Sequence, residues 1–327
     1  MKKVNGLLLS LLCISSISGL TSCTTAEDIV SEVKASLVFP NLTSGIKKGF
    51  DVYNEIDNVE ISYESANPEL LYFNEENTKC IVNVLDPGSS QQITSFTATF
   101  KYKNVTDTKT FKVRILPAGH MTTVSELVAL ADAGVTGSYE YSAYSMDAVL
   151  VAKTDKSTLF YDGTGYIYVY KSCTNSIGTY FNLDGSISYW NGIIEFNSDT
   201  TFETLSEEIP FEVPEFNPIE FTSDFSYNVW YTGNPSMATY CGSMVKLTGT
   251  PKTSTSSDGT KIYYNYEIDN VSKVTGSILY PTDEILEVMN KAIEEKKKTV
   301  IEGYTIYISG SSSKYLNILV TGITIVE

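Results

Sequence analysis

One histidine and one arginine occur in 327 residues, His120 and Arg114. With no second imidazole there is no histidine pair for a base or a metal site, and H-E-x-x-H, G-x-S-x-G and Walker loops are all absent. A single guanidinium offers almost no planar fork for phosphate. The 39 acids against 23 bases set a net charge of −16, which repels nucleic-acid backbones. Neither a metal, a cofactor nor a nucleic acid is expected as a partner. The many carboxylates guarantee chance pairs, so a hydrolytic pair is weighed against solvated surface charge and set aside. The sequence predicts no enzyme.

Cysteine is also scarce. Of five, Cys80, Cys173 and Cys241 lie far apart in the body of the chain, which excludes a CxxC metal knuckle. Their odd number allows one pair at most. Cys173 with Cys241 is conceivable, and burial of all three as small apolar groups is the reading preferred. His120 stands in "PAGHMTT", between two pattern changes, and reads as a solvated linker residue.

Long apolar runs are missing except at the start. Residues 1–22, "MKKVNGLLLSLLCISSISGLTS", give two lysines, an apolar stretch too short to span a bilayer, then small residues before a cysteine. Leu20-Thr21-Ser22-Cys23 resembles the lipobox of bacterial lipoproteins. That resemblance implies cleavage before Cys23, acylation of it as a palmitate-type anchor, and a protein tethered to the outer membrane. Glu27 and Asp28 resemble the surface-export acids of Bacteroidetes lipoproteins, which implies the cell surface. Cleavage removes Lys2 and Lys3 and leaves 21 − 39 = −18 charges.

What is present is aromatic and strand-like: 42% of residues are hydrophobic and 12% aromatic, enough for two or three domains. Residues 23–33 read as a tether. Over 34–117 the pattern has period two, as in Val59-x-Ile61-x-Tyr63 and Phe96-x-Ala98-x-Phe100-x-Tyr102, and predicts a β-sandwich that resembles bacterial Ig-like modules. Thr123 and Glu126 then form a capping box ahead of Leu127, Val128 and Leu130, with Gly134 as stop.

Over 121–198, Asp162-Gly163-Thr164-Gly165 leads into Tyr166-Ile167-Tyr168-Val169, and Gly185 precedes an Asn191-Gly192 hairpin. This order resembles the OB-fold domains of Bacteroidetes lipoproteins. The glycines are turn residues and no phosphate cradle, because a strand follows them. Residues 199–239 carry Pro210, Pro214, Pro218 and Pro235 and read as an extended surface connector.

Residues 240–327 repeat the scheme with a helix between the third and fourth strands. Ile285, Val288, Met289, Ala292 and Ile293 give its apolar stripe, Asp283 and Glu284 open it, and Lys296, Lys297 and Lys298 close it. The predicted fold class is mainly β: an Ig-like β-sandwich followed by two OB-like five-stranded barrels, the second with that helix.

Strand parity then sorts the hairpin. Across an Asn191-Gly192 type I′ turn, Trp190 faces Ile193, Tyr189 faces Ile194, Ser188 faces Glu195 and Ile187 faces Phe196. Ile187, Tyr189, Ile194 and Phe196 are the inner face, so Trp190 and Ile193 point outward. The same parity turns Tyr166, Tyr168 and Tyr170 outward. OB folds bind ligands beside strands two and three, so Trp190, Tyr166, Tyr168, Tyr170 and Ile193 are the candidate ligand-binding residues.

Two readings stand side by side: a platform, or aromatics packed under a neighbouring element. As a platform the face suits sugars, because residues 121–200 carry three lysines against nine acids and lack the cationic groove of single-strand binders. The function expected is non-catalytic capture of a glycan, or of a partner in a glycan-uptake assembly, at the cell surface. A structural or adhesive protein is the alternative.

Overall fold

The computed structural model describes residues 25–135, 137, 139–206, 211–221, 240–256, 258–271, 274–310 and 314–326. Residues 20–23, which resemble a lipobox, lie outside the described residues. The chain forms two compact units, the first from residues 25–83 and 92–115, the second from residues 84–91 and 116–326. Residues 84–91, read from sequence as sandwich, belong to the second unit, where Ala118 N–H donates to the Leu85 carbonyl at 2.9 Å.

The first unit opens with helix α1 (Ala26–Ser36), which corrects the tether reading of residues 23–33. Thr25 and Asp28 close a reciprocal capping box that satisfies two orphan N–H groups. Asp28 N–H reaches Thr25 Oγ1 at 3.2 Å and Thr25 N–H reaches Asp28 Oδ2 at 3.0 Å. Val30 and Val33 then bury against Val59, Ile61 and Phe100.

Seven strands follow: β1 (Phe50–Asp51), β2 (Glu55–Ile56), β3 (Val59–Ser65), β4 (Leu71–Phe73), β5 (Lys79–Val82), β6 (Gln92–Tyr102) and β7 (Val105–Ile115). They form sheets of order β2-β3-β6-β7 and β1-β5-β4, the Ig-like sandwich. Phe50 and Phe73 of the small sheet meet Phe96 of the large one, with ring centroids 6.2 and 5.2 Å apart. Alternation supplies those inward rings, as the period-two pattern predicts.

The second unit begins with β8 (His120–Met121), α2 (Val124–Asp132), β9 (Tyr144–Lys153), β10 (Thr158–Tyr161) and β11 (Tyr166–Val169). Next come β12 (Tyr180–Gly185), β13 (Ile187–Trp190), β14 (Ile193–Phe196) and β15 (Thr201–Thr204). His120 is therefore in a short strand and not in a solvated linker, and its ring stacks on Tyr141 at 3.9 Å.

Strands β12 and β13 are halves of one bent strand. The first pairs with β9 and the second with β14, which runs parallel to β11, so the circuit of five closes as an OB barrel. Gly185 sits at the bend, where a side chain would meet Thr200 Oγ1 at 2.4 Å. Helix α2 plugs the barrel with Val124, Leu127 and Ala131. Its first amides find acceptors in the "DGTG" turn: Val124 N–H donates to Asp162 Oδ2 at 2.7 Å and Ser125 N–H to Thr164 Oγ1 at 3.0 Å. That motif is thus a cap for a neighbouring helix.

The connector adds β15 to the first barrel, and β16 (Ile219–Glu220) to the second. Residues 199–239 are accordingly not purely a draped coil, although Phe211 and Phe216 do lie on barrel side chains. The second barrel is β17 (Met244–Thr255), β18 (Ile262–Ile268), β19 (Val274–Ile278), α3 (Asp283–Glu295), β20 (Thr299–Ser309) and β21 (Lys314–Ile325). Its order β17-β18-β19-β21-β20 closes through β17 with β20.

Ile285, Met289 and Ala292 of α3 are buried, while Val288 and Ile293 are half-buried. The lysine run lies just past the last turn: Lys296 is the left-handed cap at φ 54°, and Lys298 pairs with Asp269 at 2.7 Å. No helix among the described residues is long and apolar enough to cross a membrane.

Candidate functional site

The hairpin parity holds residue for residue. Trp190 pairs with Ile193, Tyr189 with Ile194, Ser188 with Glu195 and Ile187 with Phe196. Asn191 and Gly192 take φ of 47° and 90°, the positive pair of a type I′ turn. Ile187, Ile194 and Phe196 join the inner core of the first barrel.

The outward face has a different fate from the one proposed for it. Tyr168 is 2% exposed and Ile193 1% exposed, because the second barrel packs onto that face. Tyr168, Ile193, Val149, Val151 and Leu159 form a second core with Cys241, Leu279, Tyr304, Ile306 and Leu319. No ligand reaches Tyr168 or Ile193, so both are withdrawn as binding residues. Tyr166 goes with them: its ring lies 5.7 Å from that of Tyr304, and its hydroxyl is buried without a hydrogen-bond partner. Burial pushes that phenol up to about 12.

The surface that OB folds use for ligands is thus spent, in the first barrel, on joining the second. All three cysteines of the body are buried and free, with the Cys241 thiol pushed up to about 12 by its burial in this seam.

Trp190 and Tyr170 escape the seam, at 55% and 44% exposure. They stand at its edge and line a cleft of about 770 Å³ between the barrels. The second barrel supplies the opposite wall from its own strands two and three and their neighbours: Tyr263 and Asn265 of β18, Ser277 of β19, Tyr307 of β20, Tyr315 and Asn317 of β21. Parity on "KIYYNYEI" explains this, since Tyr266 and Ile268 turn into the barrel and Tyr263 and Asn265 turn out.

The polar groups are held in place. Asn265 Nδ2 donates to Ser254 Oγ at 2.6 Å and Asn317 Nδ2 to Ser309 Oγ at 2.9 Å. The Trp190 indole lies beside the Tyr307 hydroxyl. Tyr280 has φ of 40°, a left-handed conformation that costs a tyrosine about 1–2 kcal/mol. It sets the Tyr280 ring 5.9 Å from Tyr170 and 5.4 Å beneath the Lys156 ammonium.

Seven of the lining residues are aromatic, and others are Asn, Ser or Thr. Among the described residues no carboxylate, histidine or cysteine lines the cleft. Glu195 lies behind it, in the seam, where Tyr168, Tyr280, Tyr307 and Cys241 surround its carboxyl. Desolvation raises it from 4.5 to about 7, and no cation among the described residues pairs with it. Groups of His, Cys, Asp and Glu fit to hold a metal are absent among the described residues.

The sequence reading placed Trp190 and Tyr170 correctly as outward. It missed Tyr263, Tyr280, Tyr307, Tyr315, Asn265 and Asn317, although the parity rule applied to β18 points to Tyr263 and Asn265.

No family model matches the chain, and no curated protein matches it. Among solved structures, a replication protein A heterotrimer bound to single-stranded DNA is similar over 57% of this chain and 48% of that chain, at 11% identity and a TM-score of 0.27. The similarity therefore spans about half of that chain's length, and a likeness so loose carries no argument about a ligand.

Proposed function

We propose that the protein is a non-catalytic binder of carbohydrate and that the cleft between its two OB barrels is where the sugar sits. The observation that carries this reading is the wall chemistry: Trp190, Tyr170 and Tyr263 expose ring faces beside the fixed amides Asn265 and Asn317. Sugars present flat C–H faces to rings and hydroxyls to amides. Covering two aromatic faces yields ~1.5 to 3 kcal/mol each, which together corresponds to affinities from several millimolar to tens of micromolar.

Among the described residues the lining holds no acid or imidazole to protonate a glycosidic oxygen, which supports capture without cleavage. The lipobox at residues 20–23 supports an acylated Cys23 and a place on the outer membrane, facing outward, where weak multivalent capture is useful. A polysaccharide, or a surface protein bearing one, is the partner this reading requires.

Affinity electrophoresis through gels cast with a panel of soluble polysaccharides tests it. At least one polymer retards the wild type, and Trp190→Ala and Tyr263→Ala restore free mobility. Equal mobility in every gel would sink the reading and leave an adhesive or purely structural protein, whose barrels meet through Tyr166, Tyr168 and Ile193.

A further inference from the structure

The chain carries 39 acidic residues against 23 basic ones, yet the charged residues lining the cleft are Lys156 and Lys261, with no carboxylate beside them among the described residues. One comes from each barrel: Lys156 from the turn between β9 and β10, Lys261 from the turn between β17 and β18. Both are exposed, and among the described residues neither ammonium is paired with an acid. The nearest acids in sequence, Asp155 and Asp258, do not line the cleft; Asp258 is turned into its own loop, where it accepts from Ser256 Oγ, from Thr260 N–H at 3.0 Å and from Thr260 Oγ1 at 2.8 Å.

On a surface this acidic, a ligand-sized hollow whose described lining holds no carboxylate and two lysines, the ammonium of one lying over the Tyr280 ring, is a local inversion of charge. Low-dielectric walls of tyrosine strengthen it, because field lines concentrate in a cleft lined by one sign. Neutral sugars accept hydrogen bonds from an ammonium but gain nothing from its charge. A nucleic-acid strand fits them less well: it brings a phosphate at every nucleotide into a protein of net −16, with two lysines to meet them.

We infer that the cleft selects an acidic polysaccharide, one whose sugar rings carry carboxylates, with the rings on Trp190 and Tyr263 and the carboxylates on Lys156 and Lys261. This rests on the carbohydrate reading above and narrows it to uronic-acid polymers. Each solvent-exposed ammonium–carboxylate contact contributes modestly, so the pair together sets about a tenfold preference, which falls as salt screens it.

Isothermal titration with an oligogalacturonate, a neutral oligoglucan of equal length and a thymidine oligonucleotide of equal charge tests the inference. The oligogalacturonate binds about tenfold tighter than the neutral sugar. Joint Lys156→Met and Lys261→Met substitution, which keeps most of the stems and touches no core, abolishes that preference, so that the two sugars bind the variant equally. Equal affinity for both sugars, or a preference that survives the double substitution, overturns the acidic specificity and leaves carbohydrate binding standing. Failure of both sugars to bind overturns the acidic specificity, and mobility through the polysaccharide panel then decides the carbohydrate reading. Tighter binding of the oligonucleotide than of either sugar overturns both readings, in favour of a nucleic acid.

Discussion

A side chain on Gly242 would stand 2.2 Å from Cγ of Tyr166. Gly242 holds φ at 83°, and the Tyr166 ring lies flat in the space its missing Cβ leaves. The two barrels join where one glycine of the second accepts one tyrosine of the first. Gly242→Ala therefore meets both a steric and a conformational penalty. Overpacking and a forced left-handed alanine together cost about 2–4 kcal/mol, read as a lower urea midpoint. A loss below about 0.5 kcal/mol would show that the seam does not depend on this contact.

Tyr166 can be tested from its other end. Its hydroxyl is buried with no partner, so Tyr166→Phe removes a desolvated group while keeping the ring. Stability should stay level or rise by about 1 kcal/mol. A clear loss would mean that the hydroxyl is bonded.

Glu195 makes the seam sensitive to pH. Its carboxyl titrates near 7 in the folded protein against an ordinary 4.5, so between those values the folded state holds more protons than the unfolded one. Its contribution is fully present below about pH 4.5 and is lost as pH rises through 7, by about 3 kcal/mol in all. Unfolding in urea at pH 5 and pH 8 measures it: wild type should lose more stability across that interval than Glu195→Gln. Parallel losses in the two proteins would place the carboxylate in water.

The outward aromatics divide into glue and platform, and alanine separates them. Tyr168→Ala opens a cavity in the seam and should cost about 3–5 kcal/mol. Trp190→Ala, at a residue 55% exposed, should cost about 1 kcal/mol or less while weakening sugar binding. Comparable stability losses would put both residues in one environment and remove the distinction.

Much of this was legible in the chain. Alternation in "GSISYWNGIIEFN" fixes which side of the barrel each residue takes, and the Asn-Gly turn fixes the register, because a slip by one would invert both faces. The stripe of α3 is equally plain. What parity alone does not reveal is what covers an outward face. A hint lay in "AVLVA" of β9, a continuous apolar run of the sort found in strands buried on both faces: Met146, Ala148 and Leu150 fill the barrel, while Val149 and Val151 enter the seam. Helix α1 escaped notice although Thr25 and Asp28 spell its cap, because eleven residues with two buried valines give little periodic signal. The cleft was least legible, since Trp190 and Tyr263 lie more than seventy residues apart and meet only through docking of the barrels.

The central claim is that the Trp190 indole is the floor on which a sugar ring lands. Trp230→Phe leaves Trp190 as the sole tryptophan, and titration of that variant with the polysaccharide that retards the wild type reads its emission directly. The account predicts a saturable change in emission at the concentration where retardation occurs. An unchanged spectrum while the polymer demonstrably binds would put the ligand elsewhere on the molecule.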